Sequence, residues 1–593
     1  MERESPPRED SEDDSLWAVK LFDGVNSNRG PHTREDPKVS IYLGVLPLAW
    51  VRGVGKSGAE MMGEGTGAHR WWALGAVVLA VLAVSMDLTI LSVALPTLAG
   101  ALKASESDLQ WFSSGYALVL AAAMLPAGLM GDRYGRKKVM LFSLALFAGG
   151  SLACSYSRTP TEFLCARVLL GFAGAGLVVM AVSALAILFS EEERPKAVSI
   201  WAAANMIAFP IGPILGGWIL THYWWGWVFL INVPVALLGF LAVAVLVPDT
   251  KSELSPAIDS VGIVGSSAGL VCLTYGFIRA GEHGWGSLGA LVPLMLGVAV
   301  IVAFFSWERL LEHRPAGEPL LDLSLFRSPS FLWGVILFTV LTLALIGLLF
   351  TMPQYFQGVL GASPEASGVR LLPAVGGMLV ALLPAARLAR AIGAKLTVAA
   401  GFLILAIALG IGSTATLTTG TGFIAGWMAL AGVGTGLTMA TTASAALVEL
   451  SKDRAGVGSG VLQALKNTGA PLGSAVLGSV LASTYVSHLR LVGLSPLAAH
   501  TVRQSIFGGI AVAHAMHSPP LLTAVRGAFV HGTDAALLVS MGIAFGGCVL
   551  SLLFLPSSGP KVKGRSEEER IYASRPEIDR LNLHSIAQGV YPG

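Results

Sequence analysis

From Trp71 to Leu555 the chain is a succession of long apolar runs, and this feature limits its possible folds more than any other. The runs fall at about 72–97, 110–131, 139–156, 163–189, 198–220, 226–247, 260–279, 289–307, 331–353, 368–389, 395–414, 422–447, 459–484 and 535–556. A membrane helix needs about 17–25 residues, which most of these runs supply. Composition agrees, with 54% of residues hydrophobic and only 13% charged. Soluble domains carry about a quarter charged residues. An apolar excess this large cannot be buried in a water-facing fold, so lipid is part of the solvent. The predicted fold class is an all-α polytopic membrane protein with about fourteen spans.

The same reading sets several functions aside. Cys154, Cys165, Cys272 and Cys548 show no CxxC or CxxxH spacing and read as small apolar packing residues. No acidic, His or Cys run suggests a catalytic centre, so neither an enzyme nor a metal site is expected, and no nucleic-acid partner. Residues 1–70, with "ERESPPREDSEDD", read as a disordered extension, or as residues upstream of a true start at Met61 or Met62. Its short apolar piece "VSIYLGVLPLAWV" is broken by Pro47 and too short to span.

Basic residues set the orientation. "DRYGRKK", "EEERPKA", "ARLARAIGAK" and "SKDRAG" follow the second, fourth, tenth and twelfth runs, and "PKVKGR" opens the tail. The alternate loops, such as "LTHYWWG" and "TATLTTGTG", hold few Lys or Arg. The positive-inside rule then places both termini in the cytoplasm. Residues 485–534 form a long outer connection containing His500, His514, His517 and His531, whose spacing fits no metal pattern. An amphipathic hairpin over the outer mouth is expected there.

A faint repeat relates the two halves. "GDRYGRKKV" is echoed by "ARAIGAKLT" (Gly135 with Gly393), "GFAGAGL" by "AGVGTGL" (Gly174 with Gly434), and "GPILGG" by "APLGS" (Pro213 with Pro471). Concordant offsets of this kind mark a transporter built of two related halves, with the substrate path between them.

Two charges lie inside runs. Asp87 is about 24 Å from the start of its run and Arg167 about 6 Å from the outer end of its own, at 1.5 Å per residue. The two therefore sit at comparable depth. Arg167 either reaches Asp87 or snorkels to the interface. A carboxylate at membrane depth costs roughly 2.5–3.5 kcal/mol on insertion scales and normally faces a cavity or a partner. Tyr116, Asn205, Asn232, Gln354, Gln357 and Gln463 are polar residues in or at the ends of runs, candidates for path lining or for interhelical hydrogen bonds.

Taken in order, these segments resemble the fourteen-span drug:proton antiporters of the major facilitator superfamily, the multidrug and antiseptic resistance exporter type. The resemblance rests on "MDLTILSVALP", "GLMGDRYGRKK", "RVLLGFAGAG", "GPILGG", "WVFLINVP", "PLLDLSLFR" and "MPQYFQGVLG". Leu170, Ala208, Gly226 and Ser92 depart from the family pattern. The resemblance implies a six-helix bundle at 71–250, two extra linking spans at 251–310, and a second six-helix bundle at 311–556. The latter carries the 485–534 insertion and leads into a cytoplasmic tail at 557–593. The implied activity is proton-coupled, secondary-active efflux of amphipathic drugs or antibiotics by alternating access. No cofactor is implied; the proton gradient supplies the energy, in a bacterial-type plasma membrane, through a functional monomer. Asp87 is implied as the coupling carboxylate and Arg167 as its modulator. Gly128, Asp132, Arg133, Gly135, Arg136 and Lys137 are implied as a cytoplasmic gate. Asp132 pairs with Arg133 or Arg136 in one state, and Gly135 makes a turn needing positive φ. Gly212, Pro213, Gly216 and Gly217 form the antiporter motif, a smooth, kink-prone helix face. The alternatives are a dedicated exporter of one natural product or lipid-like metabolite, and a non-transporting scaffold or receptor.

Overall fold

A computed structural model of the chain describes residues 68–556 except 191, 249–258, 315–319, 448–451 and 492. The expected tail at 557–593 and all but the last three residues of the expected N-terminal extension lie outside the described residues. No β-strand occurs among the described residues.

Each expected apolar run is helical. The helices are α1 (Ala68–Ala101), α2 (Glu106–Tyr134), α3 (Arg136–Tyr156), α4 (Pro160–Leu188), α5 (Arg194–His222), α6 (Trp227–Leu246) and α7 (Ser260–His283). They continue with α8 (Leu288–Glu312), α9 (Pro329–Val359), α10 (Pro364–Ile392), α11 (Ala394–Gly412), α12 (Thr421–Leu447), α13 (Gly460–His488) and α14 (Pro519–Phe554). Thirteen of them are long and apolar enough to cross a membrane among the described residues. The other is α5, 29 residues long, several of whose side chains are not described. Large apolar side chains point outward, including Leu383 (82% exposed), Val245 (75%) and Met295 (72%). Such a surface is stable only against lipid.

Local chemistry explains where many helices begin. α4, α9, α10 and α14 each start with Pro after a Ser or Thr cap: Thr159, Ser328, Ser363 and Ser518 accept from the backbone N–H of Glu162, Phe331, Ala366 and Leu521. Pro has no N–H to leave unsatisfied at that position, and the hydroxyl satisfies another orphan donor. α2 begins with a reciprocal box between Ser105 and Asp108. The α2–α3 and α10–α11 turns pass through Gly135 (φ 103°) and Gly393 (φ 87°), the matched glycines of the sequence repeat. Both lie in the region glycine favours.

Two apolar cores result. One gathers residues of α1–α6, around Phe112, Phe147, Phe163 and Phe229. The other gathers residues of α9–α14, around Phe331, Phe356, Phe402 and Phe529. The α7–α8 hairpin packs through small residues, Gly269 on Ile301 and Gly276 on Leu294, and Gly281 brings it against Ser479 of α13.

The seam between the α1–α6 and α9–α14 groups is built at the end remote from the α2–α3 turn, here called the far end. Ser114 of α2 donates to the Pro471 carbonyl of α13 at 3.2 Å, and its hydroxyl lies 2.7 Å from that of Ser474. Gln357 of α9 donates to the Val93 carbonyl of α1 at 3.0 Å. Gly368 of α10 meets the Pro213 carbonyl of α5, and Gly217 meets that of Pro364. Pro213 and Pro471, matched in the sequence repeat, thus both present their carbonyls to the opposite group.

The far-end connection differs from the sequence expectation. α13 runs to His488 and α14 begins at Pro519 rather than at 535, leaving two short helices, Pro496–Gln504 and Ile506–Ala515. They are packed into the fold: Val502 and Ile506 are fully buried, and Tyr485 donates to the Val502 carbonyl at 2.8 Å. His531 and Asp534, assigned from sequence to the connection, belong to α14. The cause is local: Ser518–Pro519 is a strong helix start, and hydropathy alone cannot register it.

Candidate functional site

Asp87 lies on α1 with apolar residues on either side, and its side chain is fully buried. Arg167 of α4, 1% exposed, donates from Nη1 to Asp87 Oδ2 at 2.5 Å. Asn232, near the start of α6, donates from Nδ2 to Asp87 Oδ1 at 3.4 Å. Arg167 Nε donates to the Phe112 carbonyl at 3.3 Å, and its guanidinium stacks 4.2 Å from the Tyr116 ring centroid. Four helices of one group therefore converge on a single ion pair. The two alternatives for Arg167 resolve in favour of the pair: it reaches Asp87 rather than snorkelling. Both charges are desolvated, and a buried pair of this kind is held only by good geometry and further hydrogen bonds. Asn232 and the Phe112 carbonyl supply the hydrogen bonds, and the Tyr116 ring adds a cation–π contact. The Tyr116 hydroxyl is buried without a partner among the described residues. Glycines in the fourth-span motif make room for Tyr116: a Cβ at Gly174 would stand 3.0 Å from its hydroxyl, and one at Gly171 2.8 Å from its carbonyl.

The fifth-span motif is clamped between the two groups. Gly212 lies on Thr89 and Gly216 on Ile90, both just beyond Asp87 on α1. The Pro213 carbonyl and Gly217 face α10. Beside Pro213 opens an apolar cleft between α9, α10 and α12, lined by Leu345, Leu348, Leu371, Met378, Met428 and Thr435.

In the loop motif, Arg136 Nη2 donates to Asp132 Oδ1 at 2.7 Å across the Gly135 turn. Arg133 is exposed and lies over the Tyr134 ring at 5.8 Å, so Arg136 is the partner of Asp132. Lys137 forms no ion pair among the described residues. Gly128 leaves ordinary room against Val179.

The remaining polar residues do not form one lining. Gln354 and Gln357 belong to the seam, where Gln354 Nε2 donates to Glu106 Oε1 at 3.2 Å. Gln463 is half-buried on α13. The side chain of Asn205 lies outside the described residues. Sequence reading missed Glu106 and Asp534. Glu106, Gln110 and Ser114 recur every four residues, a polar stripe on one face of α2, and that stripe was the available signal. Asp534 was hidden by the late start assigned to α14. Its Oδ1 is buried without a partner among the described residues.

Residues 77–474 match the family model described as Major Facilitator Superfamily. The chain is 34% identical over 426 residues to the tetracenomycin C resistance and export protein of Streptomyces glaucescens, covering 72% of this chain and 78% of that one. It is 29% identical over 476 residues to the multidrug resistance protein Stp of Mycobacterium tuberculosis (strain CDC 1551 / Oshkosh), covering 77% and 86%. A bacterial homolog of the human lysosomal transporter Spinster, solved in an inward-facing and unoccupied conformation, shares the fold at a TM-score of 0.61 and 16% identity. That match covers 83% of this chain and 98% of the other. These matches and the apolar helices point to a multi-pass membrane transporter rather than an enzyme. The chain belongs to the major facilitator superfamily, in its drug-efflux branch.

Proposed function

We propose that the chain is a proton-driven antiporter that expels amphipathic drugs or antibiotics by alternating access. It would work as a monomer in a bacterial-type plasma membrane, with the basic loops and both termini in the cytoplasm. The observation that carries this reading is the buried Asp87–Arg167 pair, bonded to Asn232 and set beside the α5 clamp. Protonating Asp87 removes the charge that holds Arg167. A cationic group on a substrate can take the place of that proton or of Arg167. Proton and substrate then compete for one carboxyl, the condition for exchange. Movement of α1 is transmitted through Thr89 and Ile90 to Gly212 and Gly216, and from the opposite face of α5 to α10. The seam contacts at the far end support a state closed there.

A dedicated exporter of one natural product is the second reading, favoured by the 34% identity to a protein named for tetracenomycin C. Reconstitution in vesicles with and without a pH gradient, against a chemical panel, tests both readings. Gradient-driven efflux of several scaffolds supports the first and of one scaffold the second. Unchanged coupled efflux in Asp87→Asn would overturn the assigned mechanism.

A further inference from the structure

Glu106 opens α2 and turns its side chain into the far-end seam, where it is 6% exposed. Its one protein partner among the described residues lies across the seam: Oε1 accepts from Gln354 Nε2 of α9, while Oε2 is buried without a partner. No Lys, Arg or His among the described residues pairs with it. From α2 itself comes Gln110 and from α9 comes Gln354, whose Oε1 atoms are both buried and unpartnered among the described residues. From α13 comes the Tyr485 phenol, already donating to the Val502 carbonyl at 2.8 Å.

A carboxylate has only acceptors to offer, and these neighbours include two acceptor oxygens that lack donors. A protonated carboxyl has an O–H to give. An isolated charge taken out of water is costly enough that such a group takes up a proton instead. Asp87, buried as deeply, differs because Arg167 balances it.

We propose that Glu106 is a second proton site, carried on the seam itself, and that the far mouth closes only when this site is occupied. The proposal rests on the alternating-access reading above. When the two groups part at the far end, Gln354 leaves with α9 and Glu106 meets water, which favours its charged form. Closure then takes one proton from the far side and reopening returns it there. Asp87 carries the coupled proton, whereas Glu106 makes the return of the carrier responsive to acidity on one side only.

The test uses the full chain in intact cells, with Cys165 and Cys272 replaced by Ser and Ser114→Cys as a seam reporter. A membrane-impermeant maleimide is applied outside at a series of external pH values. Labelling is normalised at each pH to the same cysteine in denatured protein. The expected open fraction rises with external pH, approaching about tenfold per unit, the limiting slope for one linked proton. Glu106→Gln should abolish the slope and keep labelling low; Glu106→Asp should retain it. Glu106→Met, also neutral and of similar length, serves if the Gln variant is not monodisperse. An equal slope in the neutral variant, or none in the parent, overturns the proposal while labelling itself upholds alternating access. No labelling at any pH, with substrate present, overturns both.

Discussion

The hydroxyls of Ser114 and Ser474 lie 2.7 Å apart, one on each side of the seam between the two helix groups. They are separated by 360 residues in sequence and meet because Gly473 and Gly478 let α13 approach its neighbours closely. If the seam opens in each cycle, this contact must break each time.

Cross-linking should therefore arrest transport. In Ser114→Cys/Ser474→Cys, oxidation is expected to form a disulfide, since touching hydroxyls place the Cβ atoms within the range a disulfide needs. Efflux should fall to background and return on reduction. Full efflux with the cross-link present, measured by thiol quantitation, would rule out opening at this seam.

The Asp87–Arg167 pair gives a stability prediction. Removing one member leaves the other charge buried and alone, a loss of about 3–5 kcal/mol for a fully buried pair. Arg167→Ala should accordingly lower the unfolding temperature in detergent markedly. Asp87→Asn/Arg167→Gln should recover much of that loss without recovering coupling. Equal stabilities of the parent and Arg167→Ala would mean the pair is not formed in the membrane.

The α5 clamp predicts a rescue. A methyl at Gly212 collides with the Thr89 side chain, so Gly212→Ala should reduce efflux about tenfold or more while the protein still inserts. Thr89→Ala vacates that space and should restore part of the activity, because contacting residues couple non-additively. Additive losses, read from initial efflux rates, would argue against direct contact.

The Asp132–Arg136 pair is partly exposed, with 23% of the Asp132 side chain and 16% of the Arg136 side chain accessible. Pairs of this kind contribute only about 0.2–1 kcal/mol to stability. Asp132→Asn should therefore leave expression and unfolding temperature nearly unchanged. A several-fold slower efflux in the same variant would assign the pair to gating. Unchanged efflux would leave the basic cluster as a topology signal alone.

What this chain determines by sequence alone is local. Apolar run length set the helices, because hydrocarbon offers the backbone no other partners. The Ser/Thr–Pro pairs at α4, α9, α10 and α14 set where those helices begin, and Gly135 and Gly393 set the two matched turns. Depth was legible as well, since counting residues along α1 and α4 put Asp87 and Arg167 at one level. Direction around each helix axis was not legible. It depends on how neighbouring helices rotate to pack, which no single segment encodes. Tertiary structure alone decided that Arg167 turns inward to Asp87, and that Arg136 rather than Arg133 holds Asp132. It also decided that Glu106 finds Gln354 across 248 residues of chain. Each of these is a choice between faces of a helix, settled by which face the rest of the molecule buries.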